Sequence, residues 1–137
     1  MIVIDASIAI KMVEPTEKES DIAKSILLSH LEKKQQIIVP KFLFIEVANA
    51  LATKIKLTKK SIKESLQFLY NSDFLLYELT EPDLIKASML AKSYKTSVYD
   101  MIYAVIAKNK KVKLITADDR FVKKVGFSFV QTLAHYA

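Results

Sequence analysis

The 137-residue chain has no cysteine, one glycine and two histidines, and each scarcity removes a class of chemistry. Without cysteine there is no disulfide framework, no thiolate metal site and no cysteine nucleophile. The single glycine, Gly126, leaves neither a dinucleotide-binding turn nor a P-loop, both of which need several glycines for backbone to approach phosphate. His30 falls inside a predicted helix and is read as a helix-surface residue; His135 lies close to the last residue. Neither belongs to an HExxH pair or to an evident Ser–His–Asp arrangement. No uncharged apolar run approaches the roughly 18 residues of a membrane span. Met1-Ile2-Val3-Ile4-Asp5 also lacks the basic stretch that opens a secretory signal. The expectation is a cytoplasmic protein with no membrane contact.

What is present is a globular balance, with 51% hydrophobic and 26% charged residues. The length fits a single domain, 1–137, that buries roughly two-thirds of its unfolded surface. The formal net charge of +6 comes from lysines and the single arginine, Arg120. Such a surface attracts polyanions. Lysine-rich helices also serve solubility, so charge alone leaves nucleic-acid contact open.

Short apolar runs alternate with longer helical patterns. Met1–Ile4, Ile37–Val39, Phe74–Leu79, Lys113–Thr116 and Ser128–Val130 read as strands, too short for buried helices. Between them lie helices with start signals. Thr16 and Glu19 form a Ser/Thr-x-x-Glu capping box that predicts a helix over 17–34. Thr58 caps 59–70, and Thr80-Glu81-Pro82-Asp83 caps another helix. Pro40 precedes a helix over 42–55 with Ile45, Ala48 and Ala52 on one face, and 98–108 carries a buried stripe of Ile102, Val105 and Ile106. Strands separated by helices imply crossovers, hence an α/β three-layer sandwich with a mostly parallel sheet covered on both faces.

In an α/β enzyme of this composition, the groups left to do chemistry are carboxylates. Ligands of parallel sheets bind beyond the C-terminal strand ends, where strand order reverses. Asp5 directly follows the first strand and Asp118 follows the fourth; if those strands are neighbours, the two converge. Glu46 lies one turn into its helix and Asp100 in the first turn of another. Each has an ordinary alternative. Asp5 or Ser7 caps a helix, and Ser97–Asp100 resembles a capping box. Thr116-Ala117-Asp118-Asp119 resembles another, which makes Asp119 the cap and leaves Asp118 free; as an extra acid, Asp119 either caps that helix or joins the site. Glu46, among apolar neighbours, is costly to bury without a partner. Four like charges at one crevice repel unless a cation neutralises them, and hard oxygen ligands suit Mg²⁺, or Mn²⁺ as a substitute.

At these residues the sequence resembles the PIN-domain nucleases, and among them the VapC-type toxins of prokaryotic toxin–antitoxin pairs. The matching elements are Ile2-Val3-Ile4-Asp5-Ala6-Ser7, Pro40 with Glu46-Val47-Ala48-Asn49-Ala50-Leu51, Ser97-Val98-Tyr99-Asp100 running on to Tyr103 and Ala104, and Leu114-Ile115-Thr116-Ala117-Asp118 with Arg120-Phe121. The resemblance implies a five-stranded parallel sheet of PIN type. It places the acidic quartet on Asp5, Glu46, Asp100 and Asp118, with Ser7, Asn49 and Thr116 supporting the metal or its waters. It also implies a Mg²⁺-dependent endoribonuclease that leaves 5′-phosphate and 3′-hydroxyl ends, a homodimer and a cognate antitoxin. The exposed faces of helices 17–34 and 42–55 are expected contact surfaces.

The negative site needs a positive surround to admit RNA. Lys54, Lys56, Lys59, Lys60 and Lys63 form one basic stretch; Lys108, Lys110, Lys111 and Lys113 form another. Both also complement helix C-termini. Tyr99 and Tyr103 offer either base stacking or core packing. Two rivals stand beside the nuclease. One is a non-catalytic RNA-binding or regulatory module. The other is a receiver-like phosphoacceptor domain, which wants paired acids after the first strand and an aspartate after the third, neither of which this chain has.

Overall fold

A computed structural model describes residues 1–54 and 56–137. The elements run β1 (Ile2–Ile4), α1 (Ala6–Val13), α2 (Ser20–Leu31), β2 (Ile37–Pro40), α3 (Phe42–Thr53), α4 (Lys59–Tyr70) and β3 (Leu75–Tyr77). They continue α5 (Glu81–Tyr94), α6 (Val98–Lys110), β4 (Lys113–Thr116), α7 (Asp119–Val125), β5 (Val130–Thr132) and α8 (Leu133–Tyr136). The strands form one five-stranded sheet in the order β3-β2-β1-β4-β5, with every neighbouring pair parallel.

This order places the entirely buried β1 at the centre. The chain winds outward through β2 to β3, then returns to pair β4 with the other side of β1. Right-handed crossovers therefore put the helices before β3 on one face and α5 to α7 on the opposite face. The register Ile2↔Lys113, Val3↔Leu114, Ile4↔Ile115 brings the ends of β1 and β4 level. The switch point is between them. The inner end of the second face is α6, buried without interruption from Met101 to Ala107 because it lies between the sheet and α5.

Several local signals behave as their chemistry predicts. Thr80 and Asp83 form a reciprocal capping box on α5, Thr58 caps α4, and the Ser97 hydroxyl accepts from the Asp100 N–H at 3.1 Å. Others need correction. The Thr16–Glu19 capping box does not form: the Thr16 hydroxyl donates to the Glu14 carboxylate at 3.0 Å, and α2 starts only at Ser20, after Glu19 in left-handed backbone. A short side-chain bond has replaced the cap, the usual competition for threonine. The face of α3 is also different. Ile45 is 71% exposed, and the buried stripe is Leu43, Phe44, Val47 and Leu51, whose larger side chains fill the core better than two alanines. The predicted end of that helix, Ile55, lies outside the described residues. The last strand runs two residues later than expected.

His30 is not a surface residue. It is buried, its Nδ1 accepts from the Ile37 N–H at 3.0 Å, and so Nε2 carries the proton and donates to the Ser72 carbonyl at 2.9 Å. One ring thus satisfies two backbone groups where β2 begins, with Phe74 packed against it at 5.3 Å. Among the described residues no helix is long and apolar enough to cross a membrane.

Candidate active site

The β1–α1 and β4–α7 turns meet at the switch point, and two hydroxyls hold them together. Asp5 caps α1, accepting from the Ile8 N–H at 3.3 Å. Its two carboxylate oxygens also accept from Ser7 Oγ and from Thr116 Oγ1, each at 2.5 Å. Each of those hydroxyls in turn accepts a backbone N–H of the β4–α7 turn, Ser7 from Ala117 across the junction and Thr116 from Asp118 within its own turn, both at 3.1 Å. Thr116 is 1% exposed. Ser7 and Thr116, expected to support a metal, are therefore direct supports of Asp5.

Asp118 projects from the same turn but is not free of structural duty. It is the N-cap of α7 and accepts from the Phe121 N–H at 3.0 Å. Asp119 is the first helical residue, exposed and not the cap. The assignment of the cap to Asp119 is thus reversed: the turn needs an extended residue at the cap position, and Asp118 holds it.

Glu46 reaches the site from α3, where Tyr103 Oη donates to its Oε1 at 2.6 Å. Tyr103, on α6, is 1% exposed and lies three residues after Asp100, so both share one helix face. The spacing puts the ring on the Asp100 side of α6, but nothing in the sequence pairs it with Glu46, and its aromatic character pointed only to packing or stacking. Asn49, one turn beyond Glu46, is exposed, and among the described residues it makes no side-chain hydrogen bond to the group.

The electrostatics link the acids from four elements. Burial pushes the Asp5 carboxyl up to about 6, against the lowering effect of its bonds from Ser7, Thr116 and Ile8, and the charge of Asp100 adds to the rise. Glu46 is raised by desolvation and by Asp100, with the Tyr103 bond opposing. Asp100 is raised by desolvation and by Asp118, with Ser97 opposing. The Tyr103 phenol is raised by its burial, by its bond to Glu46, and by the charges of Glu46, Asp5 and Asp100. Asp100 is therefore the hub, within electrostatic reach of the other three. Among the described residues none of the four forms a salt bridge, and no group of three or more His, Asp or Glu side chains forms a ready-made metal cage.

Beside Asp100 and Asp118 opens a cleft of about 620 Å³, whose cations are Lys95, Arg120, Lys123 and Lys124. Lys124 Nζ donates to the Lys95 carbonyl at 2.6 Å and ties α7 to the end of α5. Neither basic stretch singled out in the sequence lines this cleft. Lys110 and Lys111 are at the far end of α6 from Asp100, about 15 Å away at 1.5 Å per residue. In the other stretch Lys54 pairs with Glu17 and Lys60 with Glu64. The residues that do line the cleft immediately follow Asp118 or precede Asp100 in sequence.

A family model, the PIN domain, matches residues 2–127. Among solved structures, the crystal structure of PAE2754 from Pyrobaculum aerophilum matches with a TM-score of 0.69 at 20% identity, covering 98% of this chain and 92% of that one. At that identity the likeness speaks to the fold alone. No curated protein matches the sequence significantly. The family model spans nearly the whole chain, and the chain belongs to the PIN-domain family, whose members are typically nucleases.

Proposed function

We propose that the protein is a Mg²⁺-dependent endoribonuclease that hydrolyses RNA phosphodiester bonds at Asp5, Glu46, Asp100 and Asp118. One observation carries this reading: Asp100 is within electrostatic reach of Asp5, Glu46 and Asp118, and no protein cation is paired to any of the four among the described residues. A donor set of hard oxygens, with Asp5, Glu46 and Asp100 raised in proton affinity by burial and by neighbouring charge, fits a small divalent cation. Asp5, Asp100 and Asp118 are the ligands we assign to it, with Glu46 as a further ligand or an orienter of water. When bound, Mg²⁺ supplies charge that stabilises the phosphoryl transition state and makes an attacking water more acidic.

The chain's own residues supply position. The Ser7 and Thr116 hydroxyls fix both oxygens of Asp5, and the Tyr103 phenol fixes one oxygen of Glu46, so neither carboxylate has to reorganise on binding. Asp100, without such a clamp on its carboxylate beyond Ser97, is the member left to adjust. RNA cleavage in Mg²⁺, in EDTA, and by Asp100→Asn tests this directly. Turnover lost in both EDTA and the variant is the expected result; turnover that survives both sinks the metal–carboxylate reading.

The likeness of the sequence motifs to VapC-type toxins supports a finer proposal: the protein is the toxin of a VapBC-type pair, working as a homodimer held inactive by a cognate antitoxin. Growth arrest on expression, abolished by Asp100→Asn, is its expected signature. Growth unaffected by expression of an active nuclease would favour an RNA-processing role instead.

A further inference from the structure

Of the lysines where α6 ends and β4 begins, one is already engaged: Lys110 Nζ lies 5.8 Å from the centre of the Tyr77 ring. Lys108, Lys111 and Lys113 instead line a separate cleft of about 450 Å³. Lys108 and Lys111 share one face of the last helical turn, Lys111 ends α6, and Lys113 opens β4. The cleft floor is apolar, made by Ala107, Val112 and the half-buried Phe129, and Phe127 stacks on Phe129 at 5.4 Å and 12°. This is the N-terminal end of β4 and β5, the end of the sheet opposite the carboxylates. The chain has no Asp or Glu from Met101 to Ala117 or after Asp119. The acid that α5 brings to this end of α6, Asp83, is taken by Asn109, Tyr77 and Thr80. Among the described residues none of the three lysines forms a salt bridge. The helix carbonyls that would repel an anion are closed as well: Ala107 and Lys108 accept from the Lys111 N–H, and Ala107 also from the Val112 N–H at 3.0 Å.

We propose that this cleft is a binding site for a nucleoside phosphate, with the base on the Phe129 floor and the phosphates on Lys108, Lys111 and Lys113. Small-molecule sites are mostly apolar hollows of this size with a few convergent polar groups. Here the floor is aromatic and the convergent charges are all positive. The ring offers a base a stacking surface, and the ammonium groups hold phosphate as point charges. Three uncompensated cations favour a di- or triphosphate over a monophosphate. The site differs in kind from the carboxylate cleft, where Asp100 and Asp118 repel phosphate unless a cation intervenes. Binding at Phe129 needs neither a metal nor the nuclease reaction.

Isothermal titration calorimetry with ATP in EDTA tests this, because EDTA keeps metal from carrying the nucleotide to the carboxylates. ATP is expected to bind about tenfold or more tightly than adenosine or inorganic triphosphate, each of which offers only one part of the ligand. Lys111→Gln and Lys113→Gln should each weaken ATP about tenfold. Phe129→Leu should weaken ATP about fivefold and leave triphosphate unchanged. Lys110→Gln, on Tyr77, and Lys123→Gln, in the carboxylate cleft, should leave ATP affinity as it is, and so should Asp100→Asn. Circular dichroism and thermal melting of each variant check folding. Triphosphate bound as tightly as ATP, or ATP affinity lost equally in Lys123→Gln, shows general polyanion attraction and overturns the proposal. So does an absence of binding at millimolar ATP. A short single-stranded RNA that displaces ATP, binds more tightly and depends on the same lysines overturns it too, and marks an RNA track instead.

Discussion

Removing the charge of Asp5 measures what the site costs the fold. In the metal-free protein, burial moves this carboxyl from its ordinary 3.8 to about 6. At about 1.36 kcal/mol per pH unit, the ionised group then costs folding on the order of 3 kcal/mol at neutral pH. The folded state binds this proton more tightly than the unfolded chain does. Between about 3.8 and 6, stability therefore falls as pH rises; the cost is complete above 6 and absent below 3.8. Asp5→Asn keeps the shape and an acceptor oxygen but loses part of the bonding to Ser7, Thr116 and Ile8, which offsets some of the gain. We expect the variant to be more stable than wild type in EDTA at neutral pH by about 1–2 kcal/mol. The melting temperature should rise by about 3–5 °C per kcal/mol, and that advantage should vanish near pH 4. Thermal and urea unfolding of both proteins across this range is the assay, because titrations common to both cancel in the difference. Mg²⁺ should raise the melting temperature of wild type and not of the variant. A variant destabilised equally at every pH refutes the idea that Asp5 is a desolvated charge.

Tyr103→Phe should leave the fold nearly as stable but slow cleavage by about tenfold to a hundredfold, since Glu46 loses the bond that aims it; kcat should fall more than KM rises. His30→Ala should cost about 3–5 kcal/mol in denaturant unfolding, leaving the Ile37 N–H and the Ser72 carbonyl without their partner beside a void. Burial acts to raise Asp83, but bonds from the Thr80 backbone, the Tyr77 and Thr80 hydroxyls and Asn109 outweigh it and lower the carboxyl. Asp83→Ala should therefore lose about 2–3 kcal/mol at neutral pH, a deficit that shrinks as pH falls through the folded-state value. Lys111 holds a left-handed φ of 57° at the end of α6, so Lys111→Gly should stabilise by about 0.5–1 kcal/mol in the same assay.

The features legible in the sequence were those fixed by short-range chemistry. The strand runs of β1, β2 and β4, the caps at Thr58, Thr80 and Ser97, and the placement of Asp5 and Asp118 at strand ends all follow from local residue type. So does the convergence of those two acids, once β1 and β4 are neighbours. What was not legible depended on contacts distant in the chain. His30 looks like any polar helix residue until Ile37 and Ser72 are brought to it. Tyr103 is indistinguishable from a core aromatic without Glu46, 57 residues away. The choice between Asp118 and Asp119 as cap turned on one backbone conformation. The basic stretches misled because clustering in sequence does not mean clustering around the site: α6 carries Lys108 to Lys111 away from Asp100, while Lys95 and Arg120 arrive from two other segments.

The hydroxyl clasp between the β1 and β4 turns has a consequence for the chain as it is made. Asp5 leaves the ribosome 111 positions before Thr116, and β1 lacks its second neighbour until β4 has been synthesised. Until then Asp5 has neither the Thr116 hydroxyl nor Asp118 beside it, and Asp100 has arrived only shortly before. The carboxylate group therefore assembles only once β4 is in place rather than growing with the domain. A chain that has not yet reached β4 holds Asp5 and Glu46 without the turn that completes their surroundings, and the carboxylates first meet when the crossover into β4 closes.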